Sequence, residues 1–380
     1  MPYDYQEHQH YFGQVADEVI ELAEPELQRL GATETNPVYR GIHFKATPEV
    51  VYRINYQTRL LTRVLAPLTS FNCHSDKYLY RKVYEIAWED FLDPTKTFAV
   101  FATVAHSHIK HSKYAALKLK DAVVDYIRDR TGERPSIDTR DPDLWINLHI
   151  ENNFATVSVD LSGGALHRRG YRVESVEAPM METVAASILT RSEWDGETPL
   201  HDPFCGSGTL LCEAYMRVAH LPSGFMRSRF GFEQLPDFDR TAWDAVVQEG
   251  ADGIKPVAPN LISGSDRSKE AAKAARKNCR ALDENSGINI TQQDVFDMDG
   301  LEGYTIVCNP PYGVRMERDK DLTSFYKSLG DFLKQRCKGS NAFIYFGDLE
   351  YVKALGLKPA WKRPLYNGGI RGQVAKIEIF

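Results

Sequence analysis

No stretch of this 380-residue chain approaches the ~18 consecutive apolar residues that read as a membrane-spanning helix. The first residues, Met1 to His8, are polar and acidic and do not read as a secretory leader. Cysteine is scarce. The six residues at 73, 205, 212, 279, 308 and 337 contain no Cys-x-x-Cys pair. That spacing argues against zinc ribbons and dithiol redox motifs and predicts free thiols in a cytoplasmic protein. Positive charge is not in excess: 46 Lys and Arg stand against 52 Asp and Glu, a net charge of −6. A protein that coats nucleic acid over its whole surface is thereby disfavoured, whereas a local basic face is not. No internal repeat of about 20–50 residues is visible. What remains, 43% hydrophobic and 26% charged residues, is the composition of a globular chain with two or three domains.

Periodicity gives the organisation. Residues 12–30 show helical apolar spacing at Val15, Val19, Leu22, Leu27 and Leu30, with Gly31 as a stop. Gly41 to Ala46 alternates as a strand, and Thr47-Pro48-Glu49 opens a second helix reaching Leu61. This β-α-β pattern suits a small ferredoxin-like unit. Phe98 to Val104 reads as a strand and Ser112 to Asp129 as an amphipathic helix. Residues 143–149 and 153–160 read as a hairpin. Ser162-Gly163-Gly164 breaks the pattern, which places a hinge near 161–178. Beyond it, strand candidates at 198–203, 260–265, 287–291, 304–308 and 342–347 are mostly separated by helices. Two last strands, 360–365 and 373–380, are joined by Asn367-Gly368-Gly369 and must be antiparallel. The stretch 220–258, with Phe225, Phe230, Phe232, Phe238 and Trp243, reads as an insertion: a lid or a satellite cluster, the cluster favoured.

Two turns carry the chemistry. Asp202-Pro203-Phe204-Cys205-Gly206-Ser207-Gly208-Thr209 closes a short strand on an acid and leads into a helix. Its glycines let the backbone bend tightly and a ligand approach, and the helix start turns unpaired N–H groups to the same place. A dinucleotide turn would carry a third glycine where Leu211 stands, and the next strand-end acid, Asp266, lies far beyond the ~20 residues of that motif. The second turn, Asn309-Pro310-Pro311-Tyr312, follows the apolar run Tyr304 to Cys308. The prolines hold Asn309 and Pro310 extended or in a turn. The Asn309 side-chain carbonyl and the Pro310 backbone carbonyl can then accept the two hydrogens of an exocyclic amine, while Tyr312 stacks on the ring that bears it. In a doubly wound sheet, both turns face one pocket at the carboxyl ends of the strands.

Together these turns resemble the amino-group branch of the class I S-adenosylmethionine-dependent methyltransferases. Arg168-Arg169-Gly170-Tyr171-Arg172, Ala178 to Ala186 and Leu365-Tyr366-Asn367-Gly368 narrow the resemblance to bacterial ribosomal-RNA guanine-N2 enzymes. Asn55-Tyr56-Gln57-Thr58-Arg59 and Lys118-Leu119-Lys120-Asp121-Ala122 are similar to their ferredoxin-like and THUMP modules. The match is to THUMP-domain methyltransferases of the RlmL/YpsC type. It implies an α/β fold: a Rossmann-like, mostly parallel seven-stranded sheet with an antiparallel terminal hairpin, preceded by an α+β module. The expected domains are a ferredoxin-like subdomain at 1–70, a THUMP domain at 71–160 and a methyltransferase domain at 161–380.

The resemblance also implies roles. S-adenosylmethionine is the expected cofactor, with Asp202, Phe204, Gly206, Ser207, Gly208, Thr209, Asp266, Asp294 and Asn309 around it. Asp266 is expected at the ribose hydroxyls, Asp294 at the adenine amine, and Asn309, Pro310 and Tyr312 at the catalytic site. The expected partner is 23S ribosomal RNA, free or in an assembly intermediate, with no membrane and no obligatory protein partner. Arg59, Lys113, Lys118 and Lys120 are candidate RNA contacts, because two basic runs stand out from an acidic chain. Histidines 106, 108 and 111 lack Cys or acidic neighbours and do not suggest a metal. N2-guanine methylation of transfer RNA and N6-adenine methylation of RNA or DNA are the enzymatic alternatives. A catalytically inert RNA-binding factor is the alternative of another class, and a cofactor-binding titration separates it from all the enzymes.

Overall fold

The computed structural model describes residues 2–176, 179–312 and 322–380. The chain forms two compact units. The first is built from residues 1–15, 24–166 and 227–247, the second from 16–23, 167–226 and 248–380.

The first unit holds one eight-stranded sheet. Its strands are β1 (His10–Gln14), β2 (Thr33–Val38), β3 (Gly41–Lys45), β4 (Arg63–Asn72), β5 (Thr97–Ala105), β6 (Ser136–Ile137), β7 (Leu144–Glu151) and β8 (Phe154–Asp160), in the order β2-β3-β1-β4-β8-β7-β5-β6. Helices α1 (Asp4–His8), α2 (Ile20–Arg29, of which residues 24–29 belong to this unit), α3 (Pro48–Gln57), α4 (Asp76–Tyr84) and α5 (Ser112–Thr131) accompany it. The helix expected from residue 12 starts instead at Ile20. Residues 10–14 form a strand between β3 and β4, burying Tyr11 and Gly13 on alternate positions. Two-residue alternation, completed by pairing on both edges, overrides the looser helical spacing there. Thr47 caps α3 through its side chain, which accepts from Val50 N at 3.4 Å, and the helix ends at Gln57, short of Leu61. The 144–160 hairpin turns at Asn152 and Asn153, both left-handed with φ of 51° and 60°, a conformation asparagine tolerates well.

Phe230, Phe232 and Trp243 are buried against Tyr52 and Tyr56 of α3, with the Tyr52 and Phe232 ring centroids 4.6 Å apart. Residues 227–247 therefore complete the core of the first unit, although the chain on both sides of them belongs to the second.

The second unit is a doubly wound sheet. Helices α6 (Glu182–Ser192), α7 (Thr209–Val218), α8 (Arg240–Asp252), α9 (Lys269–Leu282), α10 (Leu322–Arg336) and α11 (Tyr351–Ala354) follow in sequence, all but part of α8 within this unit. Strands β9 (Leu200–Asp202), β10 (Ile262–Asp266), β11 (Asn289–Gln292), β12 (Thr305–Cys308), β13 (Asn341–Phe346), β14 (Trp361–Asn367) and β15 (Ile370–Glu378) are ordered β11-β10-β9-β12-β13-β15-β14. The first five are parallel, and β15 enters antiparallel between β13 and β14. This is the mostly parallel seven-stranded sheet with an antiparallel terminal hairpin expected from the sequence. The strand order reverses at β9–β12, the crevice where such sheets bind ligands.

Candidate cofactor and substrate cleft

Burial of the parallel strands forces their polar ends out at one edge, and there the two turns meet. A cleft of about 640 Å³ is lined by Phe204 and Gly206 from the first turn and by Asn309 and Pro311 from the second. Asp266 at the end of β10 and Asp294 just after β11 line it as well.

The glycine turn is held from behind. Asp202 is 1% exposed, and its Oδ1 accepts from Phe204 N at 3.0 Å. Burial pushes this carboxyl well above the ordinary range, and nearby Asp266 adds to the effect. Asp202 thus serves as an internal acceptor that shapes the turn. Asp266 braces the turn from the cleft side: Oδ2 accepts from Gly206 N at 3.0 Å and Oδ1 from Ser268 N at 2.9 Å. Asp294 Oδ1 accepts from Phe296 N at 3.1 Å.

The two glycines differ in surroundings. Gly206 has φ +52°, and among the described residues a β-carbon there would meet Val176 Cγ2 alone, at 3.9 Å. Gly208, φ +83°, lies against α9, where a β-carbon would come within 3.2 Å of Ala275. The third glycine of a dinucleotide turn normally permits close packing of helix on strand. Here that glycine stands on the strand: a β-carbon on Gly264 would lie 2.6 Å from Leu211 Cδ1.

Ser207 and Thr209 do not line the cleft. Their hydroxyls accept from Arg172 Nη1 and Nη2 at 3.1 and 3.0 Å. The Arg172 guanidinium also bonds Glu182 and the Met180 carbonyl. Asn278 of α9, fully buried, adds four bonds. Its Oδ1 accepts from Val173 N and Glu174 N, and its Nδ2 donates to the carbonyls of Glu174 and Ser207. Residues 172–176 are thereby fastened to the glycine turn, and Glu174, Ser175 and Val176 form a wall of the cleft. Sequence reading missed Arg172 and Asn278 as site residues. The first stands inside a quoted motif, while the second carries no motif signal at all. The neighbouring Arg169 and Tyr171 both bond Glu213 Oε1 on α7, at 3.3 and 3.1 Å, and Asn367 Oδ1 accepts from Met181 N at 3.1 Å.

At the second turn, Asn309 Oδ1 is buried and has no hydrogen-bond partner among the described residues. Such an acceptor costs about 1–3 kcal/mol unless a ligand donates to it. Pro310 is buried, and Pro311 accepts from Tyr326 OH at 3.3 Å. Tyr312 is 6% exposed, packs on Gly347 and lies edge-on to Tyr345 with centroids 6.0 Å apart. Its ring does not line the cleft. The thiols of Cys205 and Cys308 are buried and pushed well up by desolvation, which keeps them un-ionised and unsuited to attack a pyrimidine ring.

In the first unit, Lys113 and Lys120 lie on one face of α5, seven residues apart, and Lys113 is exposed. Lys120 pairs with Asp121 at 2.6 Å. Lys118 lies about 140° around the helix from Lys113, with its Nζ 5.6 Å from the Tyr114 ring centroid. Arg59, half-buried in the loop after α3, has its Nη1 enclosed. The Asn55 to Arg59 stretch is internal scaffolding: Thr58 Oγ1 and Arg59 N both bond Glu26, and Asn55 bonds Ser162. Among the described residues no three His, Cys, Asp or Glu side chains are grouped as metal ligands.

Sheet order, glycine turn, strand-end acids and the Asn-Pro-Pro-Tyr turn define a class I methyltransferase, a protein class that uses S-adenosylmethionine. The comparisons with known proteins narrow this. Residues 169–376 match the UPF0020 family model, described as an RMKL-like methyltransferase domain, and the chain belongs to that family. Residues 73–160 match the THUMP domain and 21–65 the RlmL ferredoxin-like domain. The chain is 36% identical to a Synechocystis protein provisionally named an RNA methyltransferase (slr0064), over 97% of each chain. It is 37% identical to the ribosomal RNA large subunit methyltransferase K/L of Syntrophotalea carbinolica, over 97% of this chain and 53% of that one. The chain spans about half the length of the K/L relatives it matches. The crystal structure of SMU.472 complexed with SAH superposes with a TM-score of 0.84 at 26% identity, covering 98% of both chains.

Proposed function

We propose that this chain transfers a methyl group from S-adenosylmethionine to the exocyclic N2 amine of a guanine in large-subunit (23S) ribosomal RNA. The observation that carries the reading is the buried Asn309 Oδ1, unpartnered among the described residues, beside a glycine turn whose cleft-facing position has no side chain. The K/L names of the relatives and the THUMP match support an RNA substrate.

The residues fit the cofactor. Gly206 leaves space for it, Asp266 and Asp294 offer carboxylate oxygens to hydroxyl and amine donors, and Phe204 offers an apolar wall. When bound, the cofactor supplies an already activated methyl group. Asn309 Oδ1, with the Pro310 carbonyl, accepts the N–H groups of the target amine. These bonds strengthen as positive charge develops on the nitrogen, so they favour the transition state over the ground state. The methylated nitrogen is acidic, and its proton passes to water without a strong base. Stacking of Tyr312 on the extruded base belongs to the same proposal and requires its ring to turn off Gly347. The basic residues of α5 dock RNA through phosphates, which gives register and affinity more than base reading.

Asn309→Ala should lower single-turnover methyl transfer to a 23S transcript by about 10²–10³, the size of one lost transition-state hydrogen bond, and leave cofactor affinity nearly unchanged. A mutant with a near-normal rate would remove Asn309 from the mechanism. Mass spectrometry of nucleosides from the treated transcript identifies the product. N6-methyladenosine in place of N2-methylguanosine would overturn the base assignment.

A further inference from the structure

Helix α9 carries five basic residues, Lys269, Lys273, Arg276, Lys277 and Arg280, against the single acid Glu270, in a chain whose net charge is −6. Four of the five, at 269, 273, 276 and 280, recur at helical spacing. At about 100° per residue they fall within an arc of about 60°, one cation per turn over roughly 16 Å. Lys269, Lys273 and Arg280 are exposed and Arg276 half-buried. Lys277, on the flank, is taken by Glu174. Lys269, Lys273 and Arg280 make no ion pair among the described residues. Glu270 feels the charge of Lys269 and Lys273, Glu174 feels that of Lys273, and Arg280 shares a hollow with Glu284.

The stripe joins two hollows. Lys273 lines the cleft at the amino-terminal end of α9. Arg276 and Arg280 line a second hollow of about 340 Å³ at the other end, together with one acid, Glu284, and with Ser286, Gly287 and Asn289. A solvated helix face ordinarily mixes charges of both signs. Here the opposite face is packed and apolar but for Asn278, and the outward one is nearly all positive. Like charges one turn apart repel, so the arrangement weakens the isolated helix unless an anion lies across it. A polyanion with charges repeating along a strand fits four cations repeating once per turn, and a single small anion does not.

We infer that α9 is a docking track for the phosphate backbone of the RNA substrate, leading from the cleft along the helix to the second hollow. The inference rests on the RNA reading given above. It adds a second electropositive surface, within the methyltransferase domain itself, to the one on α5.

The test uses the full chain and an in vitro transcript of large-subunit ribosomal RNA. The triple variant Lys269→Gln, Lys273→Gln, Arg280→Gln should bind the transcript at least about tenfold more weakly. Its plot of log affinity against log salt should flatten by about two units, at about 0.7 per phosphate contact on a single strand. The charge-keeping triple Lys269→Arg, Lys273→Arg, Arg280→Lys should keep both. The double variant Lys269→Gln, Arg280→Gln, which spares the cleft, should bind S-adenosylmethionine like the wild type by calorimetry. Ultraviolet cross-linking of the unaltered chain, read by mass spectrometry, should place RNA adducts on the peptide spanning 269–280. Wild-type RNA affinity and salt slope in the neutral triple, or adducts confined to other peptides, would overturn the track while leaving the enzyme reading intact. A wild-type chain that binds S-adenosylmethionine but no RNA would overturn both.

Discussion

Gly206 and Gly208 stand two positions apart in one turn, yet side chains added to them would go to different places. At 206 the β-carbon faces the cleft, and at 208 it faces Ala275 of α9. A substitution at 208 therefore tests helix packing, and one at 206 tests the cofactor. Gly206→Leu should cost about 1–2 kcal/mol for the left-handed backbone, keep a cooperative melt and lose most cofactor affinity. Gly208→Val should lower the melting temperature more. Calorimetry and thermal melts on the two variants decide it: unchanged cofactor affinity in a folded Gly206→Leu chain would show that the cofactor does not occupy the space before that turn. Tyr312 needs a similar separation. If its ring stacks on the base, Tyr312→Phe keeps single-turnover activity while Tyr312→Ala loses about 1–3 kcal/mol of transition-state binding. Equal damage in both variants would assign the effect to the hydroxyl.

At the scale of elements, β9 and β10 are bridged by a histidine. His201 contacts the hydroxyls of Ser263 at 2.8 Å and Ser265 at 3.2 Å. Burial lowers its pKa to about 4. The unfolded chain binds the proton near pH 6.5 and the folded one does not, so the neutral imidazole's contribution is complete above pH 6.5 and is lost as pH falls toward 4. Within that window the contribution changes by up to about 1.4 kcal/mol per pH unit. His201→Asn should flatten the acid limb of the stability curve, measured by urea unfolding at pH 4.5, 5.5 and 7. An unchanged limb would mean that other groups set the acid sensitivity. Strands β12 and β13 were legible in the sequence because buried parallel strands read as short apolar runs, and Asn367-Gly368-Gly369 dictates the β14–β15 hairpin. The strand 10–14 was not, because five residues before a periodic stretch look like its first turn. Arg172 and Asn278 were not, because most of their bonds go to backbone groups or to residues far along the chain, and no residue pattern records those. The glycine and Asn-Pro-Pro-Tyr turns were, because each concentrates its chemistry within a few consecutive residues.

For the whole molecule, the decisive feature is that neither unit is a continuous length of chain. Residues 227–247 leave the second unit to finish the core of the first, where Phe230, Phe232 and Trp243 pack on Tyr52 and Tyr56 and Tyr52 OH accepts from Asp239 N at 3.1 Å. Residues 16–23 make the reverse excursion: Glu18 accepts from Tyr366 N, and Glu21 pairs with Arg191 at 2.6 Å. The aromatic partners of the insertion lie far upstream, so its destination could not be read from local pattern. A cut at the apparent hinge near residue 161 would thus leave the carboxyl-terminal piece without those partners. Each aromatic buries about 150–250 Å². At about 25 cal/mol per Å² the three account for on the order of 10–20 kcal/mol as an upper bound, comparable to the net stability of a domain. The fragment 161–380 should therefore associate through the bared cluster, elute from size exclusion as aggregates and bind a hydrophobic dye that the full chain ignores. Replacing Phe230, Phe232 and Trp243 by serine in the fragment should reduce the dye signal, and the same changes in the full chain should destabilise it. A monomeric, dye-silent fragment 161–380 with a cooperative melt would show instead that the inserted segment is a passenger on the first unit and that the methyltransferase half folds without it.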